Sequence, residues 1–110
     1  MSANFLFICS RNQWRSRTAE DIFKNIEGLS VRSAGTSNVA RIRVNKKLLE
    51  WADLIFVMEK SHKQILNHKY PCTVKSKQIV ILEIPDEFQY MNAELIDILE
   101  IAIQPHLYGI

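Results

Sequence analysis

Hydrophobic and polar positions follow one another along the chain in an order that predicts alternating strands and helices. Continuous apolar runs within residues 5–8, 53–58 and 79–82 are typical of strands that are buried on both faces of a sheet. Residues 29–33 predict a further strand, which ends in the turn-rich segment 34–38.

Apolar residues at helical spacing lie between these strands. In residues 16–27 they share one face of a predicted helix that Ser16 caps and Gly28 ends. Further helices are predicted over residues 45–51, 61–68 and 92–103. Four strands separated by helices imply an α/β fold with a four-stranded parallel sheet and right-handed crossovers, in a single domain of residues 1–110. Because such sheets bind ligands at the carboxyl ends of their strands, Cys9, residues 33–37 and residues 85–88 are expected to converge.

The composition is that of an average globular protein and argues against two classes of partner. Charged residues make up 24% and hydrophobic residues 47% of the chain. The net charge of +2 predicts no strong attraction to nucleic acid or to membranes, and no segment approaches the roughly 20 apolar residues of a membrane span. The charge is uneven, because residues 41–77 hold nine basic and three acidic groups, whereas residues 78–110 hold six acidic groups and no basic ones. This asymmetry favours solvated helix faces of opposite sign or the steering of an anionic substrate.

Two cysteines, Cys9 and Cys72, without a recognisable secretory leader predict a cytoplasmic protein that has no disulfide framework. His62, His68 and His106 show no metal-ligand spacing with the cysteines and are predicted to lie on the surface. We therefore expect no metal and no cofactor. Cys72 is expected to be an idle loop thiol, and its alternative role is that of a resolving cysteine.

The candidate chemistry is concentrated just after the first predicted strand. Cys9 and Arg15 are separated by five residues, and Ser16 follows at the start of a helix. Successive backbone N–H groups in such a loop form an anion-binding nest, to which the helix adds its positive end. The nest favours a cysteine in its nucleophilic thiolate form, and Arg15 presents a planar fork that can hold two phosphoryl oxygens. The Ser16 hydroxyl is placed to hydrogen-bond the sulfur.

The whole loop is therefore predicted to bind phosphate. Its members are Ser10, Arg11, Asn12, Gln13, Trp14, Arg15 and Ser16. The alternative interpretation is a buried core cysteine that is followed by a surface arginine.

Four segments of the chain resemble, in order, the low-molecular-weight protein tyrosine phosphatases. FLFICSRNQWRSRTAE at residues 5–20 is similar to that family's first strand, phosphate loop and first helix. RSAGTS at 32–37 resembles its Ser-Ala-Gly-Thr segment, and WADLIFVME at 51–59 resembles its Asp-x-Ile-x-x-Met strand. IPDEF at 84–88 falls where the family carries its Asp-Pro-Tyr acid loop. The resemblance implies a three-layer α/β sandwich and hydrolysis of a phosphorylated protein or a small aryl phosphate.

The resemblance also implies roles for single residues. Cys9 would attack phosphorus to form a phosphocysteine, and Arg15 would hold the equatorial oxygens. Asp86 would protonate the leaving phenolate and then deprotonate the attacking water, the alternative being a simple turn aspartate. Asn12 would shape the loop, because asparagine tolerates left-handed backbone. The implied substrate-pocket residues are Phe88 and Tyr90, for which core or surface packing is the alternative, and Ser33, which would join the hydrogen bonds around the loop.

The chain departs from the family pattern at three places. Arg11 stands where the family usually has glycine, and Trp14 replaces the second loop cysteine, which removes a protective local disulfide. Only 16 residues lie between Thr36 and Asp53, a stretch that is longer in the family and includes an aromatic pocket wall.

Three other functions are compatible with the pattern. An arsenate reductase of the same fold relays a disulfide through further cysteines, for which the chain offers only Cys72. A phosphocarrier like the sugar-transport IIB subunits would need neither Arg15 nor Asp86. A catalytically weak phosphate-binding module is favoured by Arg11 and by the shortened pocket segment.

Overall fold

Four parallel strands form the centre of the protein in the computed structural model, which describes residues 2–108. The strands are β1 (Ala3–Cys9), β2 (Leu29–Gly35), β3 (Leu54–Val57) and β4 (Gln78–Ile81). They are ordered β2-β1-β3-β4 across the sheet, and every pair is parallel. The predicted four-stranded parallel α/β fold is confirmed.

The sheet is covered on both faces, because successive side chains of a strand point to opposite sides. Phe7 of β1 stacks on Phe56 at 5.1 Å between ring centroids and on Phe23 at 5.9 Å, on one face. Leu6 and Ile8 are fully buried in a second cluster on the other face. Each such side chain contributes about 2 kcal/mol by leaving water, so the continuous apolar run of β1 places it inside the sheet.

Five α-helices and one 3-10 helix connect and cover the strands within the described residues. They are α1 (Arg15–Phe23), α2 (Lys46–Trp51), α3 (Lys60–Lys69), α4 (Pro71–Val74), α5 (Ala93–Ile103) and the 3-10 helix Gln104–His106. The first cluster packs against α1 and α5, and the second against α2, α3 and α4, which makes three layers.

Helix α1 differs from its prediction at both ends. It begins at Arg15 after Trp14, and Ser16 lies inside its first turn, where its hydroxyl bonds the neighbouring loop and does not cap the helix. It ends at Phe23, four residues before the predicted end. There the Ile26 N–H bonds the Phe23 carbonyl at 3.3 Å, and Gly28 takes φ 81, which turns the chain back into β2.

The short helix α4 has no counterpart in the sequence analysis. Pro71 occupies its first turn, where the missing N–H is no loss. The helix carries Cys72, which is exposed and shares a surface hollow with Lys77, the residue that precedes β4. The Lys77 ammonium group binds the carbonyl of Ala52 at 2.6 Å, two residues before β3. Cys72 thus lies near the amino ends of β3 and β4.

Residues 2–108 contain no helix whose length and apolar content would allow it to cross a bilayer.

Candidate active site

A cavity of about 310 Å³ opens at the carboxyl end of β1. It is lined by Cys9, Ser10, Arg11, Gln13, Trp14, Arg15 and Asp86. The loop that follows β2 packs against the loop that follows β1. The Thr36 N–H bonds the Cys9 carbonyl at 3.0 Å, and the Ser37 N–H bonds the Ser10 carbonyl at 2.9 Å. The convergence of distant segments at the carboxyl ends of the strands is thus present in the structure.

Gly35, at the end of β2, makes this close approach possible. A Cβ atom at this position would lie 2.4 Å from the Ser10 carbonyl oxygen and 2.7 Å from the Ala40 Cβ. Backbone cannot move aside as a flexible side chain can. Glycine is therefore required here for packing the two loops together.

The Cys9 sulfur lies at the bottom of the cavity and receives two polar contacts. Its Sγ is 2.9 Å from the Ser16 hydroxyl oxygen, and the Asn12 backbone N–H donates to it at 3.3 Å. The Ser16 oxygen accepts from Asn12 Nδ2 at 2.7 Å, and the hydroxyl hydrogen can be directed at the sulfur or at the Ala34 carbonyl, which lies 3.4 Å away. The Asn12 N–H, and the Ser16 hydroxyl when its hydrogen points the same way, can stabilise negative charge on this sulfur.

Asn12 turns the loop around the sulfur. Its φ of 58° is left-handed, a conformation that asparagine adopts more readily than most residues. The side chain is fully buried, and among the described residues its Oδ1 has no hydrogen-bond partner. The amide is therefore used as a donor toward Ser16, and its backbone N–H faces the sulfur.

Arg15 is held in a fixed position beneath the cavity. Its side chain is 2% exposed, and Nη1 donates to Glu59 Oε2 and to the Ile84 carbonyl, both at 2.7 Å. The Nη2 group makes no hydrogen bond within residues 2–108, and Arg15 lines the cavity. A guanidinium held on one edge presents its other edge to an anion.

Asp86 stands at the rim of the same cavity, in the loop after β4. Its side chain is 59% exposed, and Oδ1 is 3.7 Å from Arg15 Nε. A carboxyl group at the rim of a cavity can exchange a proton with a molecule that is bound there.

His62 was predicted to lie on the surface, and that prediction is wrong. The side chain is 1% exposed, and Nε2 lies 2.9 Å from the Ser10 hydroxyl. Because Nδ1 accepts the Glu59 backbone N–H at 3.1 Å, the neutral ring carries its hydrogen on Nε2 and donates it to Ser10.

The environment keeps this ring neutral. Burial, together with the positive charge of Arg15, lowers the pKa of His62 from 6.5 to about 4, although Glu59 and Asp86 act in the other direction. Sequence reasoning missed both His62 and Glu59. The available signal was a Glu-x-x-His spacing at the end of a buried strand, where ligand-binding loops are expected.

The three residues that were predicted to form the substrate pocket do not line this cavity. They are Phe88, Tyr90 and Ser33. Phe88 is 9% exposed and belongs to the core cluster beside α1 and α5. The Ser33 hydroxyl donates to Glu20, and the Tyr90 hydroxyl donates to Asp21. The aromatic side chain that does line the cavity is Trp14, at 41% exposure.

Comparison with known proteins identifies the architecture. No protein-family model matches the sequence, and no curated protein matches it. Among solved structures, the tyrosine phosphatase Wzb from Escherichia coli K30 in complex with phosphate is 21% identical, with a TM-score of 0.77 over 96% of each chain. Wzb of Vibrio vulnificus in complex with benzylphosphonate is 19% identical, with a TM-score of 0.77 over 96% of this chain and 97% of that one. The YwlE arginine phosphatase from Geobacillus stearothermophilus is 17% identical, with a TM-score of 0.64 over 94% of this chain and 84% of that one.

The chain has the fold of these phosphatases. The three-layer architecture that the sequence resemblance implied is thereby confirmed. The similar structures include phosphatases of tyrosine and of arginine, so the fold is shared by enzymes of different substrates.

Proposed function

We propose that this protein is a cysteine-dependent phosphatase that hydrolyses aryl phosphate monoesters, with protein phosphotyrosine as the substrate class. The observation that carries the proposal is the arrangement at Cys9. Its sulfur lies 2.9 Å from the Ser16 hydroxyl oxygen and accepts the Asn12 N–H at 3.3 Å, and Arg15 and Asp86 line the same cavity.

The first step is an in-line displacement at phosphorus. The Cys9 thiolate forms the S–P bond while the P–O bond to the phenol breaks. Asp86, in its acid form, gives its proton to the leaving oxygen. Arg15 and the backbone N–H groups of the loop stabilise the charge on the three equatorial oxygens, and they need no reorganisation because Glu59 and Ile84 already hold the guanidinium.

The second step returns the enzyme to its starting state. Water attacks the phosphocysteine, and the Asp86 carboxylate takes the proton of that water. The S–P bond breaks, inorganic phosphate leaves, and Cys9 is released as thiolate. The Ser16 hydroxyl stabilises the departing sulfur from 2.9 Å, as it did the attacking one.

An aromatic substrate is supported by the lining of the cavity. The Trp14 indole offers a flat apolar surface beside the loop, and an aromatic ring stacked on such a surface gains about 1 kcal/mol beyond its burial. One of the similar structures, Wzb of Vibrio vulnificus, holds benzylphosphonate, which carries an aromatic ring next to its phosphonate group.

Two observations count against the arsenate reductase alternative. That reaction needs a second thiol to resolve the nucleophile, and Cys72 lies near the amino ends of β3 and β4, whereas Cys9 ends β1 at its carboxyl end. Asp86 at the cavity rim has a role in hydrolysis that a disulfide relay does not use.

Hydrolysis of p-nitrophenyl phosphate, a phosphotyrosine peptide and phosphoarginine by the purified protein tests the proposal. We expect turnover of the two aryl phosphates at mildly acidic pH without added metal, and inhibition by vanadate. Cys9→Ser should abolish turnover, and Cys72→Ser, the matched control, should leave it unchanged. Activity retained in Cys9→Ser, or lost on adding a chelator, would contradict the mechanism, and faster turnover of phosphoarginine would contradict the substrate class.

A further inference from the structure

Three arginines, Arg11, Arg17 and Arg41, lie in or next to the phosphate-binding loop and the helix that follows it, and we call them the arginine rim. Arg11 is exposed and lines the cavity. The Arg41 N–H bonds the Arg11 carbonyl at 2.9 Å, and Arg41 Nε donates to the Asn12 carbonyl at 3.0 Å. The rim is therefore attached directly to the phosphate-binding loop.

Arg17 extends the rim along α1. Its guanidinium carbon lies 4.6 Å from the centroid of the Tyr90 ring, in a cation–π contact. The hydrogen bond to Asp21 raises the pKa of Tyr90, and the charges of Arg17 and Arg41 act in the other direction.

The charges of the rim are not neutralised within the protein. Arg15 pairs with Glu59 and Asp86, whereas no rim arginine has a carboxylate partner within residues 2–108. Asp21, an acidic neighbour, already accepts from Tyr90 and lies 4.0 Å from the Lys24 ammonium group. Three positive charges without a carboxylate partner, one at the cavity and two near its loop, attract anionic groups of a molecule that binds there.

We infer that the arginine rim binds acidic residues next to the phosphorylated side chain, so that the substrates are acidic phosphotyrosine segments of proteins. This inference rests on the proposed function, because it takes the cavity as the place of the phosphoryl group. A protein segment fits better than nucleic acid, because the rim is one small patch on a chain whose net charge is only +2. The exposed aromatic rings of Trp14 and Tyr90, 41% and 39% exposed, add apolar contact surface for a peptide between the charges.

The size of the effect follows from what exposed ion pairs contribute. One solvent-exposed pair changes an equilibrium by about two- to threefold, so three of them favour an acidic peptide by about tenfold or more at low salt. The preference should fall as salt is added, since the pairs are screened.

Binding to the Cys9→Ala protein tests the inference without turnover. The Kd values of fluorescent phosphotyrosine peptides with acidic or neutral flanks are measured by anisotropy at low and high salt. We expect the acidic peptide to bind about tenfold more tightly, and Arg17→Gln and Arg41→Gln each to reduce that ratio by about threefold. Arg32→Gln is the matched control, because Arg32 is also exposed but lies over Trp51, with its guanidinium 4.5 Å from that ring.

Equal Kd values for the two peptides would overturn the inference, and so would an equal loss of preference in Arg32→Gln, which would mean a general effect of net charge. If Arg41→Gln fails to fold, Arg17→Gln and the salt dependence decide. Hydrolysis of p-nitrophenyl phosphate by the unmodified protein keeps the two proposals apart. If the protein hydrolyses p-nitrophenyl phosphate but binds both peptides equally, the inference about the arginine rim is refuted and the proposed phosphatase function stands. If it prefers the acidic peptide but shows no hydrolysis, the inference about the rim stands and the protein only binds phosphate groups.

Discussion

The buried ring of His62 makes the stability of this protein sensitive to mild acid. In the folded state the ring is neutral, because burial and the nearby Arg15 charge lower its pKa to about 4. In the unfolded chain the ring returns to its ordinary pKa of 6.5. Between these two pH values the ring is protonated in the unfolded chain and neutral in the folded protein.

The direction and the size of the effect follow from this difference. Because the unfolded state binds more protons, the free energy of unfolding has its full value above pH 6.5 and decreases as the pH falls toward 4. The slope reaches about 1.4 kcal/mol per pH unit, and the total loss is about 3 kcal/mol. For a domain whose stability is about 5–15 kcal/mol, this loss is a substantial part of the whole.

Urea unfolding followed by circular dichroism, at pH values from about 7 down to about 4.5, measures this loss. His62→Gln should be less stable than the natural protein at neutral pH, by about 1–3 kcal/mol, because the hydrogen bonds to Ser10 and Glu59 are lost or weakened. Its further loss on acidification should be smaller by up to about 3 kcal/mol. His68→Gln, at an exposed position of α3, should keep the pH dependence of the natural protein. Equal pH slopes in the natural protein and His62→Gln, or an NMR titration of His62 near 6.5, would refute the reasoning.

Three further predictions concern the site. Gly35→Ala should lower the melting temperature and the aryl phosphatase activity together, because the new methyl group would lie 2.4 Å from the Ser10 carbonyl oxygen. Overpacking of this kind costs about 1–3 kcal/mol. A variant with the melting temperature and the activity of the natural protein would contradict this prediction. Asp86→Asn should slow the hydrolysis of phenyl phosphates by about 10²–10⁴-fold when the leaving phenol is weakly acidic, and by much less when it is strongly acidic. Equal losses of rate across a series of leaving groups would mean that another residue is the general acid. Mild peroxide should oxidise Cys9 beyond the sulfenic state without forming a Cys9–Cys72 disulfide, because the two thiols lie near opposite ends of the sheet. Mass spectrometry measures both products. An abundant Cys9–Cys72 disulfide would support the arsenate reductase hypothesis instead.

The parts of the fold that could be predicted from the sequence are those that depend on local patterns. The continuous apolar runs of β1, β3 and β4 require burial on both faces, and parallel strands with helical crossovers follow from that requirement. The loop from Cys9 to Ser16 is local in the same sense. One strand end, one loop and one helix start bring its donors to the sulfur, so the spacing of Cys9, Arg15 and Ser16 was sufficient to place them together.

The contacts that hold this loop in position are long-range, and they appear only in the folded protein. Glu59 reaches Arg15 across 44 residues of sequence, and His62 reaches Ser10 across 52. These contacts exist because β3 pairs beside β1, which brings the start of α3 next to the loop from Cys9 to Ser16. No local pattern carries the order of strands in a sheet, so local reasoning predicts a surface position for a polar residue in the first turn of a helix.

The aromatic side of the cavity was decided in the same way. Phe88 and Tyr90 belong to an irregular loop, where no periodicity tells which side chain faces the core, and the structure directs Phe88 into the core and Tyr90 toward Asp21 and Arg17. The sequence places Trp14 in the loop that is predicted to bind phosphate, but its exposure beside the cavity depends on how the loop packs against its neighbours. Strand burial and a short loop are local properties, so the sequence alone predicts the sheet and places Cys9, Arg15 and Ser16 in one loop. The residues that hold this loop and line the cavity become clear only in the folded protein, because their contacts depend on packing between segments far apart in the chain.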